Sequence, residues 1–331
     1  MRVTSSSRAG FTLAEMIVAL FLFSLIAGGI LTLVTRQQRF YRDTADIIRL
    51  QGQLRQGASV LPLDLRAIST SDTLVNSAST AYNADIYLRS DYAIEFRRMT
   101  GSSVACKQIS TDTLLLVPKV LDSATTMTAW ANDPVAGDSL LVFDEGVMVG
   151  GGDDRFRAYE IRNVQKVSGL KGCPWRQQTA GTILTLSDTG RSSYRLALSP
   201  SPLPTTLRFP LPVRVFRRAR YEIYQADDQQ WYLGYSDCLS SYATASGCSD
   251  VAPVSGPYAP FTGVSSENGL VLTYYDASGN VLSSTDPSRR IARIGVTMRG
   301  YSDRALSRTG SGTGAVYADS SVLSIGIRNR R

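Results

Sequence analysis

The stretch Phe11-Thr-Leu-Ala-Glu-Met-Ile-Val-Ala-Leu-Phe-Leu-Phe-Ser-Leu-Ile-Ala-Gly-Gly-Ile-Leu-Thr-Leu-Val34 decides the fold of this chain. It has 24 residues, and Glu15 is its only charged residue. At about 1.5 Å rise per residue, the stretch is roughly 36 Å long as a helix, which is enough to cross the apolar core of a bilayer. A carboxylate inside lipid costs at least a few kcal/mol, so the sequence predicts a function for Glu15.

Other membrane-targeting segments fit this stretch less well. An ordinary secretory signal has a shorter apolar region that ends in a small-residue cleavage site. Here the apolar run is longer and is followed by Thr35-Arg36-Gln37. A plain signal anchor remains an alternative, although it leaves Glu15 unexplained. Arginines both precede and follow the stretch, so the charges alone do not predict its orientation.

The residues around Gly10 resemble the leader of type IV prepilins. A short basic leader ends at Gly10, Phe11-Thr12-Leu13 follows, and Glu15 is the fifth residue after the glycine. The resemblance implies that a prepilin peptidase cuts between Gly10 and Phe11 and methylates Phe11, the new N-terminal residue. It also implies that, in the assembled filament, Glu15 neutralises the N-terminal amine of a neighbouring subunit.

The helix is predicted to continue beyond Val34 as an amphipathic segment. Phe40, Ile47, Leu54, Leu61 and Ile68 recur every seven residues, which places them in one apolar stripe. The stripe predicts that this half of the helix packs on the rest of the chain. A kink or an end is expected near Pro62, because proline removes a helical hydrogen bond. In the membrane half, the Gly28-Gly29 pair is the weakest point, and the resemblance implies a local loosening of the helix there on assembly.

Downstream, the apolar period changes from that of a helix to that of strands. Residues 69–85 are rich in Ser, Thr and Ala and predict a linker. About ten short apolar or alternating runs follow and predict strands. They are Tyr92–Arg97, Leu114–Val117, Leu140–Phe143, Phe156–Val167, Ile183–Leu186, Val213–Tyr224, Trp231–Tyr235, Leu270–Tyr275, Val281–Ser284, Ile291–Arg299 and Val322–Arg328. The segment 236–266 is predicted to be irregular. The expected class is α+β, with one long N-terminal helix packed on an antiparallel sheet.

The four cysteines predict disulfides rather than a metal site. They are Cys106, Cys173, Cys238 and Cys248, and none has the C-x-x-C spacing of zinc or thioredoxin-like sites. An even number in an exported domain favours the pairs Cys238–Cys248 and Cys106–Cys173. Closing the loop between Cys238 and Cys248 would stabilise the fold by about 2–3 kcal/mol. Free buried thiols are the alternative.

The composition argues against an enzyme. The chain has no histidine, which excludes Ser-His-Asp and Cys-His catalysis and imidazole metal ligands. Asp153-Asp154 lacks the alternating oxygen ligands of a calcium loop, and residues 310–314 lack the Lys-Ser/Thr of a phosphate-binding loop. No cofactor and no metal are therefore expected.

The basic residues leave one binding hypothesis open. The formal net charge is +7, and a face of Tyr and Arg, including Tyr221, Tyr224, Tyr232 and Tyr235, could bind DNA or another surface. The basic residues are scattered, however, and tyrosines paired across a hairpin are ordinary sheet contacts. A solvated basic surface is the favoured interpretation, so nucleic acid is a minor candidate partner.

The length and the strand pattern narrow the resemblance to minor pilins of the PilW type, with the pseudopilin J of type II secretion as the alternative. Under this hypothesis residues 1–10 are the leader, residues 11–68 form the helix with a polymerisation segment at 11–34, and residues 69–331 form the head. The implied partners are the prepilin peptidase, an inner-membrane assembly platform, other pilins and, before assembly, the bilayer. The implied location is the inner membrane, with a single span and the head outside the cytoplasm, and then the pilus on the cell surface.

Overall fold

The computed structural model describes residues 12–68, 86–119, 128–148, 155–168, 192–239, 247–306 and 315–327. One long helix, α1 (Leu13–Leu65), is followed by thirteen strands in these residues. The strands are β1 (Ile86–Arg89), β2 (Ala93–Ser110), β3 (Thr113–Leu116), β4 (Ala129–Trp130), β5 (Ser139–Asp144), β6 (Arg155–Ser168), β7 (Ser192–Ser199), β8 (Leu211–Gln225), β9 (Trp231–Asp237), β10 (Ala252–Tyr258), β11 (Leu270–Tyr275), β12 (Arg293–Leu306) and β13 (Ala315–Gly326). The predicted α+β class, with a long N-terminal helix and an antiparallel sheet, is confirmed.

The larger sheet contains β1 to β10, and six of its strands close into a ring. Consecutive neighbours run β2, β3, β7, β6, β5 and β8, and β8 pairs again with β2. Every pairing around this ring is antiparallel. Because β8 pairs again with β2, this path of strands has no terminal strand.

The main core is enclosed by this ring. Its residues recur with a period of two along each strand, because alternate side chains of a strand point to the same face. The pairs on successive strands are Leu114 with Leu116, Leu140 with Val142, Tyr159 with Ile161, Leu196 with Leu198, and Val213 with Val215. All of them are at most 2% exposed. The apolar residues that alternate along these strands in the sequence are therefore the ones that face the inside of the ring.

The apolar stripe of α1 is buried only in its later part. Leu54, Leu61, Leu65 and Ile68 are at most 3% exposed, whereas Phe40 is 63% exposed. The heptad prediction is thus correct from Leu54 onward and wrong for Phe40. The helix ends at Leu65, three residues after Pro62, in agreement with the expected disruption near this proline.

Two strand predictions are corrected by the structure. Val281–Ser284 is not a strand, since only Val281 forms an isolated bridge, to Tyr275. The segment 236–266 was predicted to be irregular, yet it contains β10. Pro253 and Pro257 made this strand resemble a loop in the sequence, because proline is uncommon inside strands. The predicted strand Ile183–Leu186, the linker 69–85, Asp153-Asp154 and the loop 310–314 lie outside the described residues.

The chain divides into two compact units. One comprises Met1–Gly52 with Tyr301–Asp319, and the other comprises Gln53–Gly300 with Ser320–Arg331. In the second unit, the last turns of α1 are bound to β10 by polar contacts. The Tyr258 hydroxyl donates to the Gln53 carbonyl oxygen at 3.1 Å, and the Gln56 amide donates to the Val254 carbonyl oxygen at 2.9 Å.

Gly57 allows α1 to approach the strands closely. A Cβ atom at this position would overlap the Tyr258 hydroxyl and lie 2.8 Å from the Met298 sulfur. Glycine is unfavourable inside a helix by about 0.5–1 kcal/mol, so its presence in the buried stripe reflects this approach.

Replacing Gly57 by Val is expected to lower the free energy of unfolding by about 1–3 kcal/mol, the usual cost of forcing extra methyl groups into a packed site. Urea unfolding of the full-length chain in mild detergent measures the change. Gly52→Val is the matched control on the same helix, because a Cβ at Gly52 has no atom within 4 Å. Equal losses for both variants would contradict the close-approach interpretation.

Candidate functional site

The first half of α1 presents its apolar side chains to the surroundings. Leu13 is 80% exposed and Phe23 is 70% exposed, and the large apolar residues between Leu13 and Val34 are all exposed. Among the described residues, α1 is the one helix long and apolar enough to cross a membrane, and none of its apolar window is buried. A lipid environment or the apolar core of an assembly would cover this surface.

The hydroxyl groups in this half are satisfied within the helix itself. Ser24 donates to the Phe21 carbonyl oxygen at 2.7 Å, and Thr32 donates to the Gly28 carbonyl oxygen at 2.8 Å. Such bonds are needed in lipid, where no water is present to bond a polar group. Because these hydroxyl groups bond to carbonyl oxygens of the helix, they add no unpaired polar group to its apolar surface.

Glu15 is held at the start of α1 by Thr12. The Thr12 N–H donates to Glu15 Oε2 at 2.9 Å, and the Thr12 hydroxyl donates to the same oxygen at 3.1 Å. In return, the Glu15 N–H donates to the Thr12 hydroxyl oxygen at 3.3 Å. This reciprocal arrangement is a capping box, which satisfies backbone donors that the first helical turn leaves without partners.

The capping box fixes where the charge lies. Thr12 directly follows Phe11, so the Glu15 carboxylate lies beside the point at which a chain cut after Gly10 would begin. Gly10 and Phe11 themselves lie outside the described residues. The structure therefore positions the carboxylate, while the cleavage and methylation of its neighbours remain predictions from the sequence.

Gly28 and Gly29 lie within the uninterrupted helix. A Cβ atom at either position would have no atom within 4 Å, so neither glycine is required by packing in the single chain. The two glycines lower the helix propensity of this segment, and no close contact within the chain explains their presence.

The three described cysteines are disulfide-bonded. Cys238 is bonded to Cys248, and Cys106 is also disulfide-bonded. Its predicted partner, Cys173, lies outside the described residues. Glu95 lies close to Cys238 and Cys248, but the two sulfurs are bonded to each other and offer no thiolate to a metal ion.

The four tyrosines considered for surface binding pair across a hairpin. In the register of β8 and β9, Tyr221 lies opposite Tyr235, and Tyr224 lies opposite Tyr232. The ring centroids are 5.3 Å and 6.3 Å apart, respectively. These are ordinary cross-strand contacts, as the sheet-stabilising interpretation predicts.

Asp64 connects the end of α1 to these tyrosines. Its carboxylate accepts from the Tyr221 hydroxyl at 2.8 Å and from Arg98 Nε at 3.0 Å, and Arg98 also donates to the Tyr235 hydroxyl at 3.1 Å. Burial and the Asp64 charge raise the pKa of Tyr221 well above its ordinary value. The pKa of Arg98 is also raised, because the Asp64 carboxylate and Tyr235 outweigh the opposing effect of burial.

Three arginines of β8 are likewise paired with carboxylates of the same chain. Arg217 donates to Asp138 at 2.8 Å, Arg218 pairs with Glu95, and Arg220 lies 2.6 Å from Glu222. A phosphate-binding face needs cations that are available to the ligand. The contacts of Tyr and Arg on β8 and β9 therefore favour a structural role over nucleic-acid binding.

Two contributors to the site were not recognised from the sequence. Thr12 was noted only as part of the leader pattern, although a Thr followed by Glu three residues later is the signature of a capping box. The role of Asp64 could not be recognised from the sequence, because its partners Arg98 and Tyr221 are distant in the chain. Long-range polar pairs of this kind are visible only in the folded structure.

The comparisons with known proteins give one match. The family model for the prokaryotic N-terminal methylation motif matches residues 5–31. No curated protein and no solved structure matches the chain. The matched residues include Gly10, Phe11, Thr12 and Glu15, together with most of the exposed apolar half of α1. The motif, the apolar helix and the antiparallel sheet together support a type IV pilin-like prepilin that is processed by a prepilin peptidase and anchored in a membrane by α1.

Proposed function

We propose that this chain is a minor pilin of the PilW type. It enters the inner membrane as a precursor, is cut between Gly10 and Phe11, is methylated on Phe11 and becomes part of the initiating or tip complex of a type IV pilus. One observation carries the proposal. The Glu15 side chain is held by Thr12 at the start of an exposed apolar helix that is long enough to cross a membrane.

The energetics of assembly depend on Glu15. The apolar side chains of α1 gain little on moving from lipid to an equally apolar bundle of helices. A carboxylate in an apolar medium, in contrast, is stabilised strongly when it meets a cation. The N-terminal amine of a neighbouring processed subunit is such a cation, so pairing with Glu15 favours the assembled state over the membrane-resident one.

The disulfide supports the proposed orientation. Disulfides persist in oxidising compartments and are rare in the cytosol. The bond between Cys238 and Cys248 therefore agrees with a head outside the cytoplasm. The leader, with Arg2 and Arg8, remains on the cytoplasmic side, where the prepilin peptidase and the assembly platform would act.

Replacing Gly10 by Val is expected to block processing, since the peptidase of this family cuts after a glycine. The product would be a precursor that keeps Met1–Gly10 and carries no methyl group on Phe11. Mass spectrometry of the purified N-terminus measures both properties. Ser7→Ala, within the same leader, is the control and is expected to be processed normally. A normally cut and methylated Gly10→Val protein would contradict the proposal.

Deletion of the gene distinguishes pilus assembly from secretion. Under the proposal, surface pili disappear and the export of secreted enzymes is unchanged. The reverse result would replace the proposed minor pilin by a pseudopilin of a type II secretion system.

A further inference from the structure

The segment Thr35–Arg42, which directly follows the apolar half of α1, is basic and exposed. All of its residues are exposed. It contains no acidic residue, and the nearest preceding one is Glu15. Its three arginines are Arg36, Arg39 and Arg42. Because they are spaced three residues apart, they are neighbours on one side of the helix, within about 120°.

Carboxylates of the described residues do not neutralise these arginines. The side chains of Arg36, Arg39 and Arg42 form no ion pair and no hydrogen bond with a residue that the structure describes. Asp43 and Asp46 follow on the same helix, and neither pairs with the three arginines. The segment is therefore a cationic surface whose charge is open to a ligand.

The orientation of the helix does not explain the three arginines. Lys and Arg next to a membrane span usually mark its cytoplasmic side. Under the proposed orientation, the segment lies on the opposite side of the membrane. Cleavage after Gly10 also removes Arg2 and Arg8 from the cytoplasmic side. A cationic segment at the far end of the span therefore points to an anionic ligand there.

The segment lies at the depth of the phospholipid headgroups. At about 1.5 Å rise per residue, Arg36 is about 3 Å and Arg42 about 12 Å beyond Val34. The headgroup layer on each side of the hydrocarbon core is about 5–8 Å thick. Side chains of a helix lean toward its N-terminus, which here is toward the bilayer. The long arginine side chains therefore bring their guanidinium groups level with the lipid phosphates.

Two exposed aromatic rings belong to the same segment. Phe40 is 63% exposed and Tyr41 is 70% exposed, and their ring centroids are 6.2 Å apart. Amphipathic aromatic side chains are enriched where a membrane meets water, because the ring is apolar and its edge is polar. The two rings therefore favour a lipid interface as the environment of the segment.

We infer that Arg36, Arg39 and Arg42 bind the phosphate groups of anionic phospholipids in the leaflet on the side of the head. A guanidinium group suits this ligand, because its planar fork of N–H donors binds two phosphate oxygens at once. These contacts hold α1 at a fixed depth before assembly and are lost when the helix leaves the bilayer. The inference rests on the proposed function for the side of the membrane on which the segment lies.

Native mass spectrometry of the processed full-length chain in mild detergent tests the inference. The chain is mixed with equal amounts of phosphatidylglycerol and phosphatidylcholine, and the bound lipids are counted. Each arginine near an anionic surface favours binding about fivefold. The wild-type chain is therefore expected to prefer the anionic lipid by about tenfold or more. Arg36→Gln combined with Arg39→Gln is expected to reduce this preference about tenfold.

Arg55→Gln combined with Arg66→Gln is the matched control. It removes the same charge from two positions that are also exposed. Arg55 lies about 32 Å beyond Val34 along the helix. This is farther than the headgroup layer and about three Debye lengths in physiological salt or more. The control variant is therefore expected to keep the wild-type lipid preference.

Three results would overturn the inference while the proposed function stands. They are equal binding of the two lipids by the wild-type chain, equal losses of preference in the two double variants, and an acidic protein that copurifies in place of the lipid and is lost with Arg36 and Arg39. A chain that is not cut after Gly10 would overturn the proposed function. The N-terminal mass spectrum of the same sample detects that failure independently of the lipid counts.

Discussion

Replacing Glu15 by Gln is expected to reduce surface pili to the level of a strain that lacks the gene, while processing and membrane insertion continue. Glutamine keeps an oxygen that accepts hydrogen bonds from Thr12, and it is found at this position of capping boxes. It removes the negative charge. The neighbouring subunit's amine would then enter the apolar core of the filament without a counter-charge, at a cost of several kcal/mol.

The capping box supplies a matched control for this experiment. Thr12→Ala removes the hydroxyl that donates to Glu15 and accepts from its N–H. The carboxylate and its charge remain. The loss of a cap costs about 1 kcal/mol, so Thr12→Ala is expected to leave pili near the wild-type number.

The two variants separate a charge from a cap. Electron microscopy counts the pili, immunoblots of sheared pili measure their amount, and mass spectrometry checks that each chain is cut and methylated. Wild-type piliation by Glu15→Gln would contradict the charge-pairing role. A larger defect in Thr12→Ala than in Glu15→Gln would assign Glu15 to capping alone.

The sequence predicted the elements of the fold better than their pairing. Leu270–Tyr275 was predicted with the bounds that the structure gives to β11, because each of its features is local: an apolar run, β-branched and aromatic residues, and a turn after it. The closed ring depends on β2 meeting β8, as in the pairing of Phe96 with Ala219. No local pattern records which of several similar strands are neighbours, so this closure could not be predicted.

The candidate site was predicted for a different reason. A single acid in a long apolar run is unusual whatever the fold, since its burial in lipid is costly. Glu15 could therefore be identified without any structure. What the structure adds is the position of the carboxylate next to Thr12. The contact between subunits involves a second chain, so neither one sequence nor one folded chain contains it.

The second large effect is expected at a buried ion pair at the end of β5. Asp144 is fully buried, and Arg157 Nε lies 2.5 Å from its Oδ2. Arg157→Met keeps most of the apolar volume and leaves the carboxylate without its cation. Removing one partner of a buried pair costs about 3–5 kcal/mol, so the free energy of unfolding at pH 7 should fall by about that amount.

Arg290→Met is the control. Arg290 is 50% exposed and pairs with Asp286 at 2.8 Å, and such a surface pair contributes at most about 1 kcal/mol.

The pH dependence gives this prediction a sign. Burial acts to raise the pKa of Asp144, but the hydrogen bonds from Arg157 and from the Gly146 N–H outweigh it, so the pKa of this carboxyl lies below its ordinary value. A lowered pKa stabilises the folded chain above the unfolded pKa of about 3.9, and this contribution is lost as the pH falls through the folded pKa. Without Arg157, burial dominates and the pKa of Asp144 rises, so the carboxyl destabilises the fold at neutral pH and does so less as it becomes protonated. The difference in the free energy of unfolding between wild type and Arg157→Met should therefore shrink from pH 7 to pH 4.5. Urea unfolding of the detergent-solubilised chain measures this difference. A difference that is constant or grows over this range would show that the ion pair does not hold Asp144 in its charged form.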